Sequence, residues 1–443
     1  MRAALDEVGR EVLEQALNHL EPADTKQVEP KVRYHKQTYR RNKRTPADVA
    51  STFGVIRLRS FLYLCTEDGE PGLHPLHVRL GVIHKATPLL AERAARWSVA
   101  HPQTEVRQLL RSEHGLTWSN DRLRAVVKEF HRTVAPWRQA MQQQRLLAWL
   151  DQAQKSRGRH RPVLAVGRDG IMVPIRGQGY QEASTATLAV YDRRRRRLGT
   201  VYLGQMPEAH QTTLSRELTA LLQAVLQAWA GPLPRLVFVT DKGQAPEDYY
   251  RRVLRKMKNP RRPEQRLEWE WVLDFYHVSG YVGKMANALF GLLVSDRQAW
   301  FGRMRRWLRD RAQGVANILR SALQLYQRRT LTKAEQKEFW NAYRYLRRHS
   351  RWMDYHDYRR RGLPIGSGVT EAACKTVFTQ RFKCSGMRWH KESGQTILDL
   401  RVLYLSGVWH EAVARDLRSR PLPEVVRSSS QRRKSEKTLK IAA

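Results

Sequence analysis

Read as a pattern of apolar and polar positions, the chain opens with Leu5, Val8, Val12, Leu13, Ala16, Leu17 and Leu20 on one face of a helical repeat, which predicts an amphipathic helix over residues 3–20. Residues 31–44, basic and containing tyrosines, read as a mobile linker. Residues 54–65 alternate weakly and are β-rich, Asp68-Gly69 supplies a turn, and a further strand-like run ends near Val82. Three short helical patterns follow between Pro88 and Val134. The third opens on Ser119-Asn120-Asp121, good N-cap residues, and carries Leu123, Val126, Val127 and Phe130 on one face. Two helices joined by the short turn at Gly115 suit a helix-turn-helix whose exposed face carries Arg122, Arg124 and Lys128. An ordinary three-helix bundle with a solvated basic face suits the same pattern equally well. Residues 139–154 continue as a helix into the basic linker 155–161.

Beyond this point the period changes to that of strands. Pro162-Val-Leu-Ala-Val-Gly-Arg-Asp-Gly170 is an apolar run that ends on Asp169 and is broken by glycine, as a buried strand would be. A carboxylate there is unusual, because buried carboxylates need a partner, so Asp169 either closes a turn or holds a metal. Residues 186–191 and 198–204 are strands around a turn at 192–197 that contains five consecutive arginines, most simply a solvated hairpin tip. Residues 213–229 form an amphipathic helix. Residues 234–240 are a second continuously apolar strand, again ending on an aspartate, Asp241, ahead of Lys242-Gly243. A helix at 246–257 and a fifth strand at 267–273 complete the series, the latter running into Asp274-Phe-Tyr-His277. Five strands with a long helix after the third match the ribonuclease-H-like order, in which the first three strands are antiparallel and the fourth lies parallel beside the first. Neighbouring strands are about 4.8 Å apart, so aspartates ending both would converge.

Residues 280–361 are helical, charged and rich in Arg, Trp and Tyr, and read as an insertion whose Arg305 and Arg309, one turn apart, suit a grip on DNA or on a second subunit. A helical cap whose tryptophans are its own core is the plainer alternative. Gly362-Leu-Pro-Ile-Gly-Ser-Gly368 then breaks the pattern, and a helix starting at Val369-Thr370 brings Glu371 in its first turn, with Lys375 one turn further. An acid in a first turn can simply complement the helix dipole. The Gly-Ser-Gly sequence also allows close approach to another element. Arg381, Lys383 and Arg388 make the following stretch basic and aromatic, a last helix covers 396–410, and the end from Arg420 reads as disordered. The expected organisation is 1–53, helix and basic linker; 54–155, hairpin and helix-turn-helix-like DNA-binding region; 160–279 and 362–419, the two parts of an α/β core with a five-stranded mixed sheet; 280–361, the insertion; and 420–443, a basic tail.

Composition adds a partner. With Lys+Arg 80 against Asp+Glu 42, the formal net charge of +38 in 443 residues exceeds what solubility needs and implies a polyanion, of which nucleic acid is the usual one. No transmembrane run or signal peptide is legible, which argues against a membrane partner. Three cysteines, Cys65, Cys374 and Cys384, are too few for a disulfide framework and fit a reducing cytoplasm. Cys65 has Asp68, not Cys, three positions on, so the hairpin is expected to be metal-free.

Taken in order, Gly-Arg-Asp169-Gly, Val-Thr-Asp241-Lys-Gly, Leu-Asp274-Phe-Tyr-His277, Pro-Ile-Gly-Ser-Gly-Val-Thr-Glu371-Ala-Ala-Cys-Lys375 and Gln380-Arg-Phe-Lys-Cys-Ser-Gly-Met-Arg-Trp389 resemble the ISKra-type insertion-sequence transposases, members of the DDE superfamily near the Mutator-like group. The resemblance spans residues 160–410. A Cys-x-x-Cys-Gly element typical of that family is replaced here by Cys65-Thr-Glu-Asp68-Gly69. The resemblance implies that Asp169, Asp241 and Glu371 are the catalytic, metal-binding triad, and that Asp274 and His277 form the secondary (Cys/Asp)-x-x-His motif. It implies two Mg²⁺ ions, with Mn²⁺ able to substitute. The expected partners are double-stranded DNA, at the element's terminal inverted repeats and at the target, and a second copy of the chain as a dimer on that DNA in a cytoplasmic, nucleoid-associated setting. Two metals held by oxygen ligands can activate water or a 3′-hydroxyl and stabilise the displaced oxygen. Lys375 either meets a phosphate or pairs with Glu371. A structure-specific ribonuclease-H-like nuclease and a catalytically inactive DNA-binding derivative are the alternatives.

Overall fold

A computed structural model describes residues 2–22, 24–67 and 69–426, and in it the chain forms two compact units, one from the residues up to Trp137 together with those from His410, the other Arg138–Trp409. In the first unit, the helix Arg2–Asn18 precedes an antiparallel meander of β1 (Lys31–Tyr34), β2 (Gln37–Ser51) and β3 (Gly54–Cys65). The helix packs Leu13 and Leu17 on Val49, Ile56 and Leu58, while Leu5, Val8 and Val12 stay exposed.

Residues 31–44 are therefore strands, not a mobile linker. Val32 and Tyr39 face inward onto Phe61, Tyr63 and Leu73; Lys31, Arg33 and Arg40 are exposed, while Arg41 and Arg44 lie over the Phe61 ring at 5.8 and 6.0 Å. The two-residue turn between β1 and β2 places His35 and Lys36 at φ 48° and 69°, a left-handed geometry normally marked by Asn-Gly or Gly. The strand expected to end near Val82 is replaced by a short helix, Pro75–Arg79, with proline in its first turn. Residues Glu424–Val425, expected in a disordered tail, pair with β1 through Val32 and Arg33. Residues from 427 onward and Asp68 of the Asp68-Gly69 turn lie outside the described residues.

The three helices are present as Pro88–Ala100, Gln103–His114 and Asn120–Val134. Gly115 closes the second at φ 63°, and Leu123, Val126, Val127 and Phe130 are buried along the third. Ser119 Oγ accepts from the backbone N–H of Arg122 at 3.1 Å. Ser119→Ala should cost about 1 kcal/mol, read as a lower denaturation midpoint with an unchanged slope.

The second unit starts with the helix Arg138–Lys155 and continues through β4 (Val163–Ile175), β5 (Gly179–Tyr191), β6 (Arg197–Gln205), the helix Thr212–Ala228, β7 (Arg235–Thr240) and the helix Gln244–Arg252. A small hairpin of β8 (Lys258–Asn259) and β9 (Arg262–Arg266), which no sequence pattern announced, precedes β10 (Trp269–Leu273). The sheet order is β10-β7-β4-β5-β6. β4, β5 and β6 are antiparallel, while β7 runs parallel to β4 and β10 parallel to β7.

The helices Phe275–Phe290, Val294–Asp310, Gly314–Gln327, Lys333–His349 and Tyr355–Arg361 carry the expected helical segment. Trp300, Met304, Ile318, Phe339 and Tyr355 are buried in the same apolar core as Leu164, Phe238 and Trp271 of the sheet. The segment is thus a continuation of the core, and its tryptophan Trp300 serves packing. The helix Gly368–Ala373 then widens into a π turn at Cys374–Thr379, and Val377, Phe378, Phe382 and Trp389 pack on Val173 and Ile175 of β4 and on Leu398 and Val402 of the helix Lys391–Leu405. No helix among the described residues is long and apolar enough to cross a membrane.

Candidate active site

The register of three parallel strands sets the site. Pairing of β4 with β7 stops at Val166 opposite Phe238, so Asp169 and Asp241 each follow three residues after the strands part. β10 pairs Leu273 with Thr240, which sets Asp274 level with Asp241. Asp169 is not at the end of its own strand: β4 runs on to Ile175, and Asp169 pairs with Thr185 of β5. What ends, three residues earlier, is the pairing with β7. The backbone opens and leaves Asp169 and Asp241 on the wall of a cleft of about 1000 Å³ that Glu182, Gln211 and Lys391 also line.

The segment bearing Glu371 is locked to this edge by close contacts. Thr370 Oγ1 stands 2.9 Å from Thr187 Oγ1 and occupies the space where a Cβ on Gly167 would be, 1.9 Å away. One turn on, the Cys374 thiol donates to Asp169 Oδ2 at 3.2 Å. Before the helix, the Gly-Ser-Gly loop is clasped by Asp274, which is fully buried. Asp274 Oδ2 accepts from the N–H of Ser367, and Oδ1 from the N–H of His277 at 2.6 Å, capping the helix Phe275–Phe290. Ser367 Oγ in turn donates to Glu371 Oε1 at 3.2 Å. Gly167→Val should displace Thr370 and with it Glu371. A drop of about 2 kcal/mol in stability is expected from overpacking, with the loss relieved in part by a second change, Thr370→Ala.

The three acids act on one another electrostatically. Burial pushes the Asp169 carboxyl above its ordinary range, hydrogen bonds from Cys374 and from the Gly170 N–H oppose this, and the charges of Asp241 and Glu371 add to the rise. Burial beside Asp169, Glu371 and Asp241 holds the Cys374 thiol far above its usual value, so it is a proton donor here. Among the described residues, no three His, Cys, Asp or Glu side chains form a group that could hold a metal ion. The donor chemistry is that of a hard cation, oxygen only. The oxygens are engaged, however: Asp169 Oδ1 accepts from Gly170 N–H at 2.8 Å, Oδ2 from Cys374, and Glu371 Oε1 from Ser367. Each of these oxygens keeps a further lone pair, so an ion would share Asp169 with the thiol or displace it.

Other candidate residues fall into place differently. Asp274 is a strut, and His277 is exposed with its ring edge-on to Tyr281 at 5.5 Å. Arg381, expected to meet DNA, is buried at 2 % exposure over the Trp389 ring, 4.9 Å from its centroid, with Nη1 donating to Met387 Sδ. Lys375, Lys383 and Arg388 are exposed. Arg305 lies over the rings of Phe275 and Tyr276, and Arg309 makes a two-pronged ion pair with Asp310 at 2.8–3.1 Å, so neither stands as a bare cation. In the first unit Arg124 pairs with Asp121 at 3.1 Å, Lys128 is exposed, and Arg122 is half-buried on the Trp118 ring at 5.0 Å.

Sequence reading missed Cys374, Ser367 and Lys242. The first was discoverable, because it follows Glu371 by three positions on a helix and so shares its face. Lys242, next to Asp241, is held by Glu247 and by the rings of Trp271 and Trp352 at 5.6 and 5.9 Å; nothing local in the sequence marks that cage. No protein-family model matches this chain and no curated protein is significantly similar to it.

Proposed function

We propose that the second unit is a ribonuclease-H-like DNA strand-cutting and strand-joining domain, and that the chain is a DDE transposase of an insertion sequence. One observation carries the reading: Asp169 and Asp241 stand at matched positions where two neighbouring parallel strands part, with the Glu371 segment fastened against the same edge. On this reading Asp169, Asp241 and Glu371, which do not stand as a three-ligand group, would have to close on Mg²⁺ or Mn²⁺, whose chemistry is to supply charge to the attacking and departing oxygens of a phosphodiester. The protein's own part is to fix the carboxylates. The Gly167–Thr370 contact sets the height of Glu371, and Asp274 fixes the loop before it. Lys375, Lys383 and Arg388, exposed beyond Glu371, suit the phosphates on either side of a cut. The first unit, with Arg124 and Lys128 on the solvent side of the helix Asn120–Val134, would bind the element ends in the manner of a helix-turn-helix, and a dimer would pair two ends.

A second reading, a DNA-binding derivative that does not cut, is favoured by the thiol seated on Asp169 and the lack of a three-ligand group among the described residues. One experiment separates the two. The full chain is incubated with Mg²⁺ and a labelled duplex carrying the sequence that flanks its reading frame. A nick at the element end supports the transposase, and retention of that duplex with no nick in Mg²⁺ or Mn²⁺ supports the inactive form.

A further inference from the structure

At the end of the sheet away from Asp169, two loops of the second unit are built into one surface. Residues 156–162 lead into β4 and residues 192–197 join β5 to β6; together they carry eight arginines and a single acid, Asp192. That acid does not neutralise the surface from outside. It is 1 % exposed, and its Oδ1 accepts from the N–H groups of Arg194 and Arg196, both at 2.8 Å, so it serves as the internal post of the turn.

The loops are tied to each other by directed bonds. Arg193 N–H donates to Ser156 Oγ at 3.1 Å, Arg193 Nε to the Gly158 carbonyl at 3.1 Å, and His160 N–H to the Arg193 carbonyl at 3.3 Å. Arg195 Nε donates to His160 Nε2 at 3.0 Å, which uses the imidazole as a neutral acceptor between guanidinium groups. Gly158 has φ 152°, and a Cβ there would lie 2.3 Å from the Arg193 carbonyl oxygen, so the contact requires glycine. A merely solvated hairpin tip needs none of this. Like charges held together in this way cost free energy unless something anionic covers them.

We propose that these two loops form a second polyanion-binding surface, which takes the sugar–phosphate backbone of a nucleic-acid duplex away from the carboxylate site. From Val163 to Asp169 the strand advances about 20 Å at ~3.3 Å per residue, so the surface and the carboxylates contact different stretches of backbone. Arg157, Arg194 and Arg197 are exposed and make no ion pair among the described residues, which leaves them for phosphate oxygens. A single strand is a poorer fit, because the only ring in the loops, His160, is engaged by Arg195, and unpaired bases need exposed rings to stack on. An anionic membrane is a poorer fit too: no large apolar side chain of the two loops is exposed to enter it.

The test uses the full chain with Arg157, Arg194 and Arg197 changed together to Glu, and a duplex of arbitrary sequence titrated over a range of salt. Each phosphate contact adds about 0.9 to the log–log salt slope, so the slope should fall by about 2.7, with the melting temperature no lower than wild type. The triple change to Lys should keep the slope. If charge reversal prevents folding, the single change Arg194→Gln should lower the slope by about 0.9. The titration is run without Mg²⁺ or Mn²⁺, so its outcome stands whether or not the carboxylates cut DNA. An unchanged slope in a folded triple variant overturns the proposal. So does a loss confined to single strands or to vesicles of anionic lipid while duplex binding persists.

Discussion

Asp169→Asn is expected to abolish strand cleavage, by on the order of 10³-fold or about 4 kcal/mol of barrier, while the protein melts no lower than wild type at neutral pH. The two halves of this result have the same cause. Burial and the neighbouring charges of Asp241 and Glu371 raise the Asp169 carboxyl in the folded state. The folded protein then holds this proton at pH values where the unfolded chain has released it. Stability falls as pH rises from the ordinary aspartate range through the raised folded value, and the deficit persists above it. Asparagine has the same shape and carries none of that penalty; keeping its oxygen toward the Gly170 N–H, it gives up only the weak hydrogen bond from the Cys374 thiol. Its advantage should be complete once the pH is above the raised folded value and vanish as the pH drops below the ordinary aspartate range. Melting curves at a series of pH values, beside nicking assays with Mg²⁺, read both effects. Duplex binding should persist, because the exposed cations lie elsewhere. Near wild-type cleavage by this variant would remove Asp169 from the site.

How much of this site could be read in the sequence depends on what marks each part. The apolar runs ending at Asp169 and Asp241 announced two buried strands, and their order gave the sheet, because continuous apolar stretches bounded by Pro and Gly leave few other options. Gly366-Ser367-Gly368 announced close approach, yet the tightest contact falls at Gly167, within β4. Arg381 looked like a phosphate contact because charge alone does not report burial; its partners, Trp389 and Met387, lie across a turn that only the folded chain closes. The β1–β2 hairpin was hidden for the opposite reason. His35 and Lys36 adopt left-handed angles without the glycine that would have signalled the turn, and the density of cations, two of which lie over Phe61, masked the inward alternation of Val32 and Tyr39. Residues 280–361 were legible as helices but not as core, since Trp300 packs on Phe290 and Phe339 on Tyr326 of neighbouring helices, in an apolar cluster that is continuous with the sheet's.

Asp274→Ala is expected to damage the fold first and the chemistry only through it. By register Asp274 is level with Asp241, and by motif it could be taken for a ligand. Its surroundings say otherwise: the carboxylate is fully buried, and each oxygen accepts a backbone N–H, one from His277 and one from Ser367. Removing it costs a helix cap, about 1 kcal/mol, and leaves the buried Ser367 N–H without an acceptor, a further ~2 kcal/mol. A total near 3 kcal/mol should appear as a lower denaturation midpoint. Asp274→Asn keeps one acceptor oxygen and should lose about half as much. Because Ser367 also donates to Glu371, cleavage should decline in both variants in step with the loosening of residues 362–368, while the Mg²⁺ concentration for half-maximal cleavage stays put in Asp274→Asn. A metal ligand would behave in the reverse sense: its amide would raise the Mg²⁺ requirement and, by removing a buried charge, leave stability intact or improved. His277 offers a control within the same motif. Its side chain is exposed and only its backbone N–H is used, so His277→Ala should change stability by no more than about 0.5 kcal/mol.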